Sequence, residues 1–286
     1  MEVGNNSSDM YIIIGANATS SLWTLFVGCK DMPAAIFFYL VLEFINFFLG
    51  APANVMVLWL MHKNNGDSST SDIFVWNLAI MDAIFCLIPP LELARMIQST
   101  STIEYILSFF YNLKNSSCLF LTCICFDYYM AVIHPVMFTA LKDCWHRTVC
   151  ATIIWLIALA NAIIQCVGNT SDTGNAFTVM VLGAFIIMVF CNLSILRALM
   201  QSGPGRDEMH PVKKKAFRMV LIILAIIVFN YLPVVIFIPF ENFFVEVVFQ
   251  CYIVYTIFGF MNVSSSIQPM LYLFKERLSN VPCCCG

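Results

Sequence analysis

Charge is what this sequence has least of. Only 11% of its 286 residues are Asp, Glu, Lys or Arg, whereas a soluble domain carries about a quarter. Basic excess is missing too: net charge is −3 and pI about 5.8, which argues against nucleic-acid binding. No cleavable leader is evident, because MEVGNNSSDM is polar and the first apolar patch, from Tyr11, is broken by Gly15 and Asn17. The 13 cysteines include no CxxC with a matching partner, so no metal site is expected. The four histidines are dispersed and no Ser/His/Asp or metal-ligand spacing emerges, which disfavours an enzyme. No internal repeat is visible, and that weakens a reading as an inverted-repeat transporter.

Apolar residues are abundant. They make up 60% of the chain, and mean hydropathy is +0.85. So much apolar surface needs lipid as its solvent. About 20 apolar residues cross a bilayer at ~1.5 Å each. Seven candidate spans follow, at about 33–61, 71–98, 103–134, 147–168, 176–200, 214–240 and 244–274. KNNGDSST, LKDCWHR, GNTSDTGN and QSGPGRDEMHPVKKK are among the breaks. The expected fold is an all-α membrane protein. It has an extracellular segment 1–32, a seven-transmembrane helix bundle over 33–274, and a cytoplasmic tail over 275–286.

Orientation follows from Lys and Arg. Lys63, Lys142, Arg147, Arg197, Arg206, Lys213, Lys214, Lys215, Arg218, Lys275 and Arg277 share one side, eleven of the fourteen basic residues. That side is read as cytoplasmic, which puts the N-terminus outside and the protein in the plasma membrane. Asn5, Asn6, Asn17 and Asn169 each open an N-x-S/T acceptor on the outer side. KERL can start a short amphipathic helix along the inner membrane face. Cys283, Cys284 and Cys285 beyond it are palmitoylation candidates, or else free thiols.

Polar residues inside the membrane are costly and usually face a bundle interior. Asn54, Asp82, Ser117, Asn262, Ser264, Ser265, Gln268 and Tyr272 form a candidate polar network around one carboxylate. The alternative is a cluster that only fixes helix packing. Glu43, Glu92, Arg95 and Lys114 fall in the outer half. Lys114 lies 13 residues before Asp127, ~20 Å of helix toward the outer face.

At these residues the chain resembles a rhodopsin-like (class A) G-protein-coupled receptor. The match rests on Asn54, on LAIMD with Asp82, on Asp127 with Tyr129, on Trp155, on Pro233 in FNYLP, and on Pro269 with Tyr272 in QPMLY. GAPANVMVLW, KKKAF and SSSIQPMLYLF resemble the branch of nucleotide, hydroxy-carboxylic acid and protease-activated receptors. The resemblance implies an extracellular ligand, a heterotrimeric G protein as partner, and a sixth helix that swings outward about Pro233. It implies no cofactor beyond a candidate sodium ion in the polar core of Asn54, Asp82, Ser117, Ser264, Ser265 and Gln268. Switch and coupling residues carried over are Asp127, Tyr128, Tyr129, Pro233, Pro269 and Tyr272.

By analogy with hydroxy-carboxylic acid receptors, Lys114 receives a small carboxylate or phosphate, or else pairs with Glu92 and no ligand. Glu43, Glu92, Arg95, Tyr111, Tyr231, Tyr255 and Phe258 complete the candidate ligand set, small and anionic or lipid-like.

Departures from the family pattern cluster at switch positions. Tyr128 stands where the family has arginine after the acid. Asp127 is therefore protonated, or pairs with Arg147 or another cytoplasmic basic residue. Tyr231 replaces the usual tryptophan, Gln268 the usual Asn or Asp, and Asn192 the usual tyrosine. The family's outer-loop disulfide lacks its third-helix cysteine. Cys29 and Cys251 are the candidate replacement, or else free thiols. An atypical seven-helix binding or partner protein without efficient coupling is the alternative function.

Overall fold

The computed structural model describes residue 29 and residues 33–63, 72–97, 101–140, 144–167, 172–201 and 211–279. Every regular element among them is helical. Lipid offers no hydrogen bonds, so a chain this apolar must satisfy its backbone within each segment, and the helix does so. Six helical stretches are long and apolar enough to cross a membrane. The seventh carries Asn262, Ser264, Ser265, Ser266 and Gln268, a polar load that lowers its hydropathy below the others.

The first helix runs through Pro33–Ile45, a π-helical turn at Asn46–Gly50, and Ala51–Lys63. The second comprises Asp72–Phe85 and Ile88–Ile97. Pro89 and Pro90 have no N–H to donate, and the helix is interrupted by a turn just ahead of them. The third comprises Ser101–Asn115 and Ser117–Ile133, pinched at Ser116. There the Ser116 N–H reaches Leu113 O and the Leu119 N–H reaches Ser116 O, both at 3.1 Å and both i to i−3. A short helix, Pro135–Ala140, follows. The fourth is Cys144–Val167 and the fifth Asp172–Gln201. The sixth is Pro211–Phe237, with Pro233 inside it, prolonged by a 3₁₀ turn at Ile238–Phe243. The seventh opens at Glu246–Val248, passes a second π turn at Phe249–Val254, and continues as Tyr255–Ser279.

Helix pairs one–two, two–three, three–five, five–six, six–seven and seven–one all pack, so the ring closes. The fourth helix lies outside it, against the second and third. One core fills the space between helices three, five, six and seven, around Met188, Ile227, Tyr231 and Val234. Another lies between helices two, three and four, around Met81, Phe120 and Ala158. The outward faces are apolar. Phe48, Trp59, Leu156, Ile186, Phe190 and Phe229 are each more than half exposed, as side chains that face acyl chains should be.

The helices begin and end within a few residues of the candidate spans, with one correction at the tail. Residues 275–279, expected to open a separate amphipathic helix, continue the seventh helix to Ser279. No Gly or Pro stands between Tyr272 and Ser279 to break it. Asn5, Asn6, Asn17, Asn169 and Cys283 to Cys285 lie outside the described residues, as does the side chain of Arg95.

Candidate functional site

The polar residues of the sequence converge on the bundle axis. Asp82 points inward from the second helix. Its Oδ1 accepts from Lys114 Nζ at 2.6 Å and from Ser265 Oγ at 3.1 Å. The side chains of Lys114 and Asp82 are 3% and 1% exposed. The Lys114 ammonium also lies 5.3 Å from the centre of the Phe85 ring. Such burial is tolerated only because the two charges neutralise each other. The ion pair therefore forms deeper along the second helix than the Glu92 pairing expected from sequence.

Asn54 pins the same layer. Its Nδ2 donates to Gly50 O and to Ser265 O, both at 2.9 Å, and so ties the first helix to the seventh. Ser117 and Ser264 are buried beside them. Asp82 Oδ2, Ser264 Oγ and Gln268 Oε1 have no hydrogen-bond partner.

A sodium ion, expected at this core, does not fit its residues. Asp82 is the one carboxylate of the set, and its charge is already matched by the Lys114 ammonium at contact distance. A second cation there would face that ammonium with no anion left to balance it.

A second polar layer sits nearer the end of the bundle where the first helix begins. Glu43 Oε1 accepts from Asn262 Nδ2 at 2.7 Å. Tyr111 donates to Glu92 Oε1 at 3.0 Å, and its hydroxyl lies 3.4 Å from that of Tyr39. Glu43 is 5% exposed, and its Oε2 has no partner. Tyr255 meets Tyr39 edge-on at 5.5 Å, and Phe258 stacks on Phe177 at 6.3 Å. Glu43, Glu92, Tyr111, Tyr255 and Phe258 are thus brought together along helices one, two, three and seven. Tyr231, grouped with them from sequence, is instead part of the wall of an inner cavity.

That cavity, of about 110 Å³, lies between helices one, two, three, six and seven. Its walls are mostly apolar, with Leu78, Ile124, Ile223 and Ile227 among them. Asp82, Asn230 and Gln268 line it toward the polar core, and Tyr128 and Tyr272 toward the end that carries Asp127. Pro233 and Pro269 stand in the helices that form its sixth- and seventh-helix walls. Both Asn230 side-chain atoms lack a partner.

At the inner end Asp127 pairs with Arg147. The Nη2–Oδ1 distance is 2.7 Å, and the side chains are 12% and 6% exposed. Arg147 also covers the Phe138 ring at 5.1 Å. Of the alternatives open for Asp127, the structure holds the pairing with Arg147, so the third helix is latched to the fourth. Tyr129 packs with Phe126, His134 and Phe190. At the opposite end of the bundle Cys29 and Cys251 are disulfide-bonded, 222 residues apart in sequence.

Several interior contacts were not singled out in the sequence. Ser266 donates to Asn46 Oδ1 at 2.6 Å. Trp155 Nε1 donates to Asn77 Oδ1 at 2.8 Å. Asn192 donates to Met188 O at 2.8 Å and contacts Cys125 Sγ at 3.5 Å. The rule that exposed Asp82 and Asn54, a polar side chain inside an apolar run, applies equally to Asn46, Asn77 and Asn230.

Comparison with known proteins points the same way. Residues 53–177 match the family described as 7 transmembrane receptor (rhodopsin family). The uracil nucleotide/cysteinyl leukotriene receptor of Rattus norvegicus is 29% identical, over 68% of this chain and 63% of its own length. Proteinase-activated receptor 3 of Homo sapiens is 25% identical, over 92% of this chain and 76% of its own. Proteinase-activated receptor 2 of Homo sapiens is 22% identical, over 82% and 67%. The chain thus spans less than two thirds of the length of the rat receptor. Helix order, the residues at the bundle axis and these matches point the same way, to the seven-transmembrane receptor domain of the rhodopsin family that residues 53–177 match.

Proposed function

We propose that this protein is a plasma-membrane receptor, not an enzyme. It binds an extracellular ligand and signals through heterotrimeric G proteins, with its N-terminus outside. The observation that carries this is the inner cavity bounded by the two proline-bearing helices. A proline inside a helix removes a backbone hydrogen bond and permits a hinge. A cavity already present at that hinge lowers the packing lost when the sixth helix moves. Ligand binding then biases a population between two packings of the bundle.

The ligand enters the outer layer of Glu43, Glu92, Tyr111, Tyr255 and Phe258. A small anionic or lipid-like ligand is the class favoured by resemblance, and names of relatives such as "uracil nucleotide/cysteinyl leukotriene receptor" support it. Lys114 is held by Asp82, so an acid must draw its ammonium off that carboxylate to bind it. This couples ligand binding to the polar core. The accessory expectations stand beside this reading: glycans at Asn5, Asn6, Asn17 and Asn169, and acyl chains at Cys283, Cys284 and Cys285. Glycosidase digestion would remove the first, and hydroxylamine would release the second.

The test is guanine-nucleotide exchange by purified receptor on a panel of G proteins, with and without a library of small acids. Exchange above the receptor-free rate is expected. None on any G protein would overturn the reading.

A second reading is favoured by Tyr128 and by the latch of Asp127 onto Arg147. With no arginine at position 128, the chain would bind ligand without coupling. Tyr128→Arg separates the two. Under the receptor reading the parent already drives exchange. Under the other, only the variant does.

A further inference from the structure

We propose that Lys114 is a tethered counter-cation for Asp82, which takes the place of a free sodium ion and leaves the folded state indifferent to sodium. The buried ion pair carries the argument. An ammonium 2.6 Å from Asp82 Oδ1, with both side chains almost fully enclosed, occupies the place beside that oxygen that a cation would need. Ser265 Oγ completes the shell of that oxygen at 3.1 Å. Asn54 fixes the Ser265 backbone from behind through its 2.9 Å bond to the carbonyl. The lysine stem reaches down from the third helix just before the pinch at Ser116, packed against Phe85.

A mobile ion and a tethered one differ in a measurable way. A free cation stabilises the state that binds it by an amount that grows with the logarithm of its concentration once above its Kd. A lysine is always present at its site and adds no such dependence. Asp82 Oδ2 and Gln268 Oε1, whose residues line the same cavity, lack hydrogen-bond partners among the described residues. Without the ammonium they and Asp82 Oδ1 form an oxygen-rich, singly negative pocket, the chemistry a small monovalent cation needs. Deleting the lysine charge should therefore create a sodium site that the native chain does not have.

The experiment measures thermal unfolding of the full chain in detergent. Sodium chloride is compared with choline chloride at equal ionic strength, so that screening is constant. The native chain should unfold at the same temperature in both salts. Lys114→Met keeps the length of the side chain without its charge. It should unfold at least about 2 °C higher in sodium than in choline, by a margin that widens as sodium is raised. Asp82→Asn/Lys114→Met, neutral on both sides, should lose the difference again.

A sodium-specific rise in the native chain would overturn the proposal, because a free ion would then be binding beside the lysine. So would a folded Lys114→Met that ignores sodium. If Lys114→Met folds in sodium and not in choline, the proposal is upheld. If it folds in neither, the native chain's response decides alone. The readout is unfolding, so the result is independent of whether the receptor couples to a G protein.

Discussion

A lone charge at membrane depth makes single residues decisive. Asp82 and Lys114 each exist in the core only because the other does. Replacing Asp82 by Asn removes one charge and strands the other. Loss of one partner of a buried pair costs about 3–5 kcal/mol. Asp82→Asn should therefore unfold well below the native chain, and Lys114→Met added to it should restore most of the loss. Thermal unfolding of the two variants side by side checks this coupling. The same logic applies, in weaker form, to Arg147. Its pair with Asp127 is slightly more exposed and nearer water. Arg147→Gln should lower stability by about 1–3 kcal/mol, and Asp127→Asn should recover part of it in the double variant.

Among the helices, the two π turns mark where the first and seventh press together. The turn at Asn46–Gly50 packs against the seventh helix, and the turn at Phe249–Val254 against the first. An extra residue per turn re-aims the side chains that follow. It brings Asn46 to Ser266 and leaves Gly50 facing the seventh helix. A Cβ on Gly50 would lie 2.6 Å from Ser266 Oγ and 2.8 Å from Cys86 Sγ. Neither neighbour is a long flexible chain that can swing aside. Gly50→Ala should thus destabilise the protein by about 1–3 kcal/mol, read as a lower unfolding temperature. An unchanged or raised temperature would show that the two helices separate without penalty. The break before Pro89 and the pinch at Ser116 are of a different kind. They flank Phe85 and Lys114, and they set the angle at which the second and third helices bring the ion pair together.

For the whole molecule, the Cys29–Cys251 bridge ties the start of the first helix to the start of the seventh. It joins residues 222 apart in sequence, and a cross-link over so long a loop restricts the unfolded chain strongly. Cys29→Ser/Cys251→Ser should lower stability by about 2–4 kcal/mol. It should also loosen the start of the first and seventh helices, seen as faster amide exchange near Cys251 and unchanged exchange in the fifth helix. Uniformly faster exchange would show that the bridge holds the entire bundle and not its outer rim alone.

The spacing of apolar runs and polar breaks was enough to place the helices to within a few residues, the tail beyond Tyr272 excepted. A segment in lipid can satisfy its backbone on its own only as a helix, so each span could be read without knowing its neighbours. The sites at which polar residues enter the bundle were equally legible, because Asp82, Asn54 and Lys114 interrupt apolar runs where they are costly. What those residues touch was not legible. Lys114 was expected to meet a ligand or Glu92 and instead meets Asp82, and Asp127 had several candidate cations, because one long side chain sweeps a sphere that holds several partners. Only the packing of the second, third and fourth helices decided which carboxylate each cation meets. Those choices depend on the relative rotation of packed helices, which composition and spacing within one helix do not contain.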